Sequence, residues 1–272
     1  MSFEEVRRLE YDGELWASPG SVPQSQLIAL FKEEDVLVVM RDGSPPYSVV
    51  LGVPHQAEVG VKEICERRKV IGGQPKSRDS DENAASYALV AFDTLRAAGL
   101  ASKLVIMAHP TTHDPNKEPQ SPYCQEAFAD QAQLLFECHG AGPQRCHPLE
   151  LTAGMNRRSR TLLYGRTVCA AMEHRYSLAV QMQARTAKAL ILEADGSERE
   201  GELCLPALET YSLCAACEHG MHALHLEAKP KFRIPRDGTD RVTRHGRMLG
   251  AAIASAAIDY LSDRSCLHSP WM

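Results

Sequence analysis

Three short stretches hold residue types that could do hydrolytic chemistry: Pro54-His55-Gln56-Ala57-Glu58, Glu137-Cys138-His139-Gly140 and His225-Leu226-Glu227. An H-x-x-E pair, a distant His and a later Glu make up the kit of a hydrolytic zinc site. Two His and one Glu hold the metal, and a fourth position stays open for water. The pKa of the bound water then falls to about 7, and a second, unligated carboxylate can carry protons to a leaving amine. In a turn after a strand, residues i and i+3 can converge on one point, so His55 and Glu58 are expected to bite the same ion. His139 would arrive from a neighbouring parallel strand. Each feature alone has a blander reading, a chance H-x-x-E or an ordinary partly buried histidine. Three of them at the ends of apolar runs favour the metal. Glu137 competes for a role, because two residues before His139 on a strand it shares that face. It could be a ligand or a group that orients one. His109 and His113 could line the site from a long polar loop.

The elements that must position these residues follow from the apolar patterning. Val49–Val53, Leu134–Phe136 and Ala223–Leu224 read as buried strands, joined by strand candidates at 36–40 and 104–108. Helical spacing is expected from a cap at Asp81 to a stop at Gly99, and over about 123–132, 159–174, 208–219 and 245–264. Residues 178–194 fit helix or strand, and 72–81 read as loop. The alternation argues for one α/β domain across residues 1–272 with a largely parallel sheet. Sites in such sheets gather at the carboxyl ends of strands.

Composition narrows the function classes. The chain has 272 residues, enough for a sizeable core, and a formal charge of −5 with no basic block. That argues against a nucleic-acid backbone as partner. No run approaches the about 18 apolar residues of a membrane span. The acidic Met1-Ser2-Phe3-Glu4-Glu5 start carries no signal-peptide pattern, so a cytoplasmic protein with reduced thiols is expected. Of nine cysteines, Cys214 and Cys217 form the single C-x-x-C and read as packed helical residues. Cys138 reads as strand packing, because no catalytic-cysteine signature surrounds it. There is no G-x-S-x-G, P-loop or dinucleotide fingerprint.

Taken together, Pro54-His55-x-x-Glu58, Phe136-Glu-Cys-His139-Gly-Ala141, Leu149-Glu-Leu-Thr-Ala-Gly154 and Leu226-Glu227 resemble the N-formylglutamate amidohydrolase-like family. The resemblance covers roughly residues 48–260 and leaves the first 45 aside. It implies a zinc-carboxypeptidase-like fold: three-layer αβα, hydrolase- or phosphorylase-like, with a mostly parallel or mixed central sheet. It implies Zn2+ at His55, Glu58 and His139, with Glu227 as general base. The family carries an Asp-x-Asn-Arg sequence where this chain has Asp114-Pro-Asn116-Lys117. Lysine cannot grip a carboxylate in two places as arginine does. Arg157, Arg158 or Arg145 could supply that grip; their alternative is a solvated surface role. The function so implied is zinc-dependent cleavage of an amide bond in a small N-acyl amino acid or peptide-like substrate that carries a carboxylate. The rivals are an esterase at the same site, a metal-free binding protein that has kept the fold, and a cysteine hydrolase. A homo-oligomer is left open.

Overall fold

The computed structural model describes residues 6–12, 32–144, 147–239 and 241–263. Among these, strands β1 (Arg7–Asp12), β2 (Val36–Asp42), β3 (Tyr47–Ala57), β4 (Glu63–Ile71), β5 (Gln74–Asp79) and β6 (Asp81–Glu82) come first. Helix α1 (Ala85–Ala97), β7 (Ser102–Ala108), α2 (Pro122–Phe128), β8 (Ala132–Gly140) and β9 (Leu149–Thr152) follow. The chain continues with α3 (Thr161–Ala171), β10 (Leu178–Gln181), β11 (Lys188–Leu192), β12 (Glu198–Glu202) and α4 (Tyr211–Glu218). It closes with β13 (His222–Ala228), α5 (Pro230–Arg233) and α6 (Arg244–Ser262).

One sheet runs in the order β1-β2-β7-β3-β8-β13-β9-β10-β11-β12, with β6 beside β3. Its centre, β7-β3-β8-β13, is parallel throughout. Both flanks bring in antiparallel pairs, β2 with β7 and β13 with β9. The sheet is therefore mixed with a parallel centre, within the mostly parallel or mixed sheet expected. Residues 178–194 form the antiparallel hairpin β10–β11, and β4 and β5 pair as a separate hairpin where loop was expected.

The central strands are apolar at nearly every position because both their faces are covered. Alternation sorts the side chains. Leu51, Ile106, Phe136 and Leu226 join one core with Tyr87 and Phe92 of α1, Tyr164 of α3 and Ile253 of α6. Val50, Val105, Leu135 and Ala223 join the other with Tyr123 of α2 and Leu213 of α4. The result is the three-layer αβα arrangement. Helices α1 and α6 approach closely at Gly250, where a Cβ would sit 2.5 Å from the Tyr87 carbonyl oxygen.

Two local expectations are corrected. Asp81 does not cap α1: the helix begins at Ala85, and its first amide donates to Gln56 Oε1 at 2.7 Å. Asp81 lies in β6, paired beside Gln56 of β3. Cys204 is disulfide-bonded, against the expectation of reduced thiols throughout. No helix among the described residues is long and apolar enough to cross a membrane.

Candidate metal centre

Strands β8 and β13 lie side by side in parallel register, with Glu137 opposite His225 and His139 opposite Glu227. Successive side chains on a strand alternate between faces. The E-x-H of one strand and the H-x-E of the other therefore share one face, with acid beside base at each level. All four residues are buried. The His139 and His225 rings stack with centroids 4.0 Å apart. The Tyr123 hydroxyl donates to Glu137 Oε1 at 2.7 Å. That reach depends on Gly52 of β3, where a Cβ would lie 2.0 Å from the same hydroxyl oxygen.

Next to this block, His55, Asp81 and His139 present possible ligand atoms that all lie within 4.8 Å of one another. Asp81 Oδ2 is 3.5 Å from His55 Nδ1 and 2.9 Å from His139 Nδ1. Each imidazole is also held at its outer nitrogen. His55 Nε2 meets Asp114 Oδ1 at 3.0 Å. His139 Nε2 faces Asn116 Nδ2 at 3.5 Å and Glu137 Oε2 at 3.7 Å. Outer carboxylates that fix a ring in this way leave the inner nitrogen free for a metal. Asp81 reaches its place because the chain turns straight after β6. Asn83 takes a left-handed φ of 54° there, its amide donates to the Ala57 carbonyl, and its side-chain nitrogen donates to the Arg233 carbonyl at 2.6 Å.

Two imidazoles and a carboxylate form the ligand set of a catalytic zinc site, so the residues present fit that ion. The electrostatics agree. Burial alone would raise Asp81 and Glu137. Hydrogen bonds with His139 and His55 hold Asp81 well below the usual carboxylate range, and the nearby rings of His139 and His225, 3.7 and 3.6 Å away, do the same for Glu137. Burial would lower His139, but its bonds to Asp81 and Glu137 overcome this and push it up to about 10. Asp114 is held low by His55 in the same way, against its own burial. Four buried atoms nevertheless find no hydrogen-bond partner: Glu137 Oε2, His225 Nδ1, Glu227 Oε2 and Asn116 Oδ1. Glu227 Oε1 meets His225 Nε2 at 3.0 Å.

A cleft of about 420 Å³ opens onto this group, lined by His55, Asp81, Asn116, Lys117, His139 and Glu227 among others, with residues 205–210 as its far wall. Glu58 is not brought to it. Strand β3 runs on through Ala57 instead of turning. Three extended steps then carry Glu58 about 10 Å along and to the opposite face from His55. Its Oε2 sits 3.6 Å from Lys32 Nζ, and Asp81 stands where Glu58 was expected. Lys117 lies 3.3 Å from Asp114 Oδ2 and is about half exposed. Arg157 is exposed and lines a separate cavity with Arg160 and Met182. Arg158 is exposed, and its carbonyl accepts a bond involving His222 Nδ1. Arg145 lies outside the described residues. His113 bonds Thr112 Oγ1 through Nδ1; neither it nor His109 lines the cleft. Cys138 is fully buried, and burial holds its thiol well above the usual range, which speaks against a thiolate nucleophile there.

Asp81, Asp114 and His225 belong to the site but were not among the candidates read from the sequence. His225 left a signal in its spacing of two from Glu227, and Asp114 in the Asp114-Pro-Asn116-Lys117 stretch; Asp81 left none.

No protein-family model and no curated protein matches the sequence. Among solved structures, the chain is similar to N-formylglutamate amidohydrolase from Ralstonia eutropha JMP134, at 10% identity and a TM-score of 0.45, over 83% of this chain and 96% of that one. It is similar to a bacteriophage poly-gamma-glutamate hydrolase at 11% identity and 0.45, over 82% and 89%. It is similar to a metallo-carboxypeptidase from Burkholderia cenocepacia at 13% identity and 0.44, over 83% and 61%. The chain thus spans only about three fifths of that carboxypeptidase's length. The group that the sequence motifs resemble is among these structures.

Proposed function

We propose that this chain is a zinc-dependent hydrolase that cleaves the amide bond of a small N-acyl amino acid or peptide-like substrate. The observation that carries this reading is the convergence of His55, Asp81 and His139 on one cleft with the half-bonded carboxylate of Glu227 beside them. His55, Asp81 and His139 would hold the ion. When bound, zinc supplies Lewis-acid polarisation of a carbonyl and makes water acidic enough to ionise near neutral pH. The protein's own groups do the rest. Asp114 and Glu137 keep the two imidazoles turned with Nδ1 inward. Glu227 takes up a proton and returns it to the leaving nitrogen, the usual general acid–base role. Asn116 and Lys117, both at the cleft, meet the polar end of the substrate, and Lys117 suits a carboxylate.

The test is elemental analysis of the purified chain together with a panel of N-acyl amino acids and their ester analogues. About one zinc per chain is expected, with turnover lost to a chelator and restored by zinc. Undiminished turnover in excess chelator would remove the metal from the reaction. A loaded chain that bound zinc but cleaved only esters would replace amide by ester cleavage.

A further inference from the structure

We propose that His225 is a positioning residue that holds Glu227 in its working orientation, and that one buried carboxylate, Glu137, aligns both His225 and the metal-binding ring of His139. The proposal rests on the reading above that Glu227 handles the proton.

The geometry is a chain of two hydrogen bonds joined through ion-pair contacts. Tyr123 donates to Glu137 Oε1 and anchors that side chain from α2. The other oxygen, Oε2, faces two stacked rings at nearly equal distance, 3.7 Å to His139 Nε2 and 3.6 Å to His225 Nδ1. His225 then passes the alignment on, its Nε2 lying 3.0 Å from Glu227 Oε1. Glu227 Oε2 is left without a hydrogen-bond partner on a residue that lines the cleft. The imidazole therefore selects which oxygen of Glu227 is occupied and which is available. A carboxylate with both oxygens unheld would sample several orientations, and catalysis depends steeply on orientation. Strand register builds the arrangement, because Glu137 and His225 are paired residues on adjacent parallel strands. A ring that served only for packing would have no need of a carboxylate bonded at Nε2 and a second within ion-pair range of Nδ1.

The two nitrogens can be tested separately. A glutamine amide reaches the place of Nε2, an asparagine amide reaches the place of Nδ1, and leucine fills space with neither. In the zinc-loaded full chain, His225→Leu should lower kcat 10- to 100-fold, the range seen for orienting partners, with KM, zinc content and thermal midpoint near wild type. His225→Gln should recover most of kcat, and His225→Asn should not. Glu137→Gln should lower zinc affinity and kcat together, since it serves both rings. Equal rates for the Gln and Asn variants, or wild-type kcat in His225→Leu, would overturn the proposal. So would loss of zinc from His225→Leu, which would make His225 a ligand rather than a positioning residue.

A second measurement does not depend on turnover. In proton NMR of the metal-free full chain, the imidazole N–H resonance that disappears in His225→Leu should shift in Glu227→Gln. If it is unmoved by Glu227→Gln, the path is broken and the proposal fails. A wild-type chain that turns over no N-acyl amino acid would instead overturn the proposed function, and the resonance would still decide whether His225 holds Glu227.

Discussion

Among the described residues, two ionic clusters with buried members are built to opposite rules. In the first, Glu126 of α2 receives Arg8, Arg41 at 2.8 Å and Lys103 at 3.4 Å. Lys103 is fully buried, and its ammonium also donates to the Glu126 carbonyl at 2.7 Å and to Asp130 at 2.9 Å. None of these side chains has a buried atom without a partner. In the second, four carboxylates (Asp81, Asp114, Glu137 and Glu227) face three imidazoles (His55, His139 and His225). With every imidazole protonated and Lys117 on Asp114 at 3.3 Å, acid and base balance; each imidazole that is neutral leaves acid in excess. Four buried polar atoms in and beside this group find no partner. Desolvating charge is costly in both places. A closed cluster recovers the cost within the fold. An open one calls for an explanation outside it, and the unpartnered oxygens of Glu137 and Glu227 lie in the same cluster as the ring nitrogens of His55 and His139.

The largest effect should come from breaking the closed cluster. Glu126→Ala takes from Lys103 one of its two carboxylate partners and from Arg8 and Arg41 their shared one, and breaking a buried ionic cluster costs up to about 3–5 kcal/mol. Chemical denaturation should show that loss, while zinc affinity of the folded chain stays unchanged. A stability change under about 1 kcal/mol, the scale of surface ion pairs, would erase the distinction between the clusters.

The next effect falls on metal binding and separates Asp81 from Glu58. Asp81→Asn keeps the shape of the side chain and removes its charge. Zinc affinity should fall by more than the about 10- to 100-fold loss that an outer partner gives, as read by competition with a chromogenic chelator. Glu58→Gln should leave affinity untouched. The reverse order would return the ion to the place first read from the sequence.

Glu227→Gln comes third. It should retain zinc and lower kcat by about 10²-fold, the lower end for a general acid–base residue. That corresponds to roughly 2.7 kcal/mol of barrier. Its folding stability should hold or rise, because the charge on a buried carboxylate with one unbonded oxygen is removed. A variant that unfolds as readily as Glu126→Ala would mean that Glu227 is part of the scaffold.

The sequence carried the parts of this site that lie on central strands, and lost those that depend on how distant segments meet. Apolar runs marked β3, β8 and β13, and a spacing of two put Glu137 with His139. The register that sets Glu137 opposite His225 has no local signature, since it is fixed by the packing of both sheet faces. Asp81 was hidden twice. An Asp just before an apolar helical run reads as a cap, yet Gln56 meets the first helical amide instead. The β4–β5 hairpin also lies between His55 and Asp81, so no short motif joins them. Glu58 misled for the complementary reason. The H-x-x-E spacing converges only in a turn, and pairing of Gln56 and Ala57 with β6 keeps that stretch extended.

The smallest expected effect concerns the rim of the open cluster, where Lys117 is about half exposed and already tied to Asp114. A solvated lysine contributes little to holding a carboxylate, on the order of 0.2–1 kcal/mol by analogy with exposed ion pairs. Lys117→Ala should therefore raise KM for a carboxylate-bearing substrate by only about 1.4- to 5-fold at 1.4 kcal/mol per decade, and leave KM for the neutral amide analogue in place. Arg157→Ala, in its separate cavity, should alter neither. A large, carboxylate-selective effect at Arg157 would mean that the two cavities join around the substrate. Equal effects of Lys117→Ala on both substrates would instead take the carboxylate out of recognition and leave the acyl group, against the wall of residues 205–210, as the part of the substrate that this protein reads.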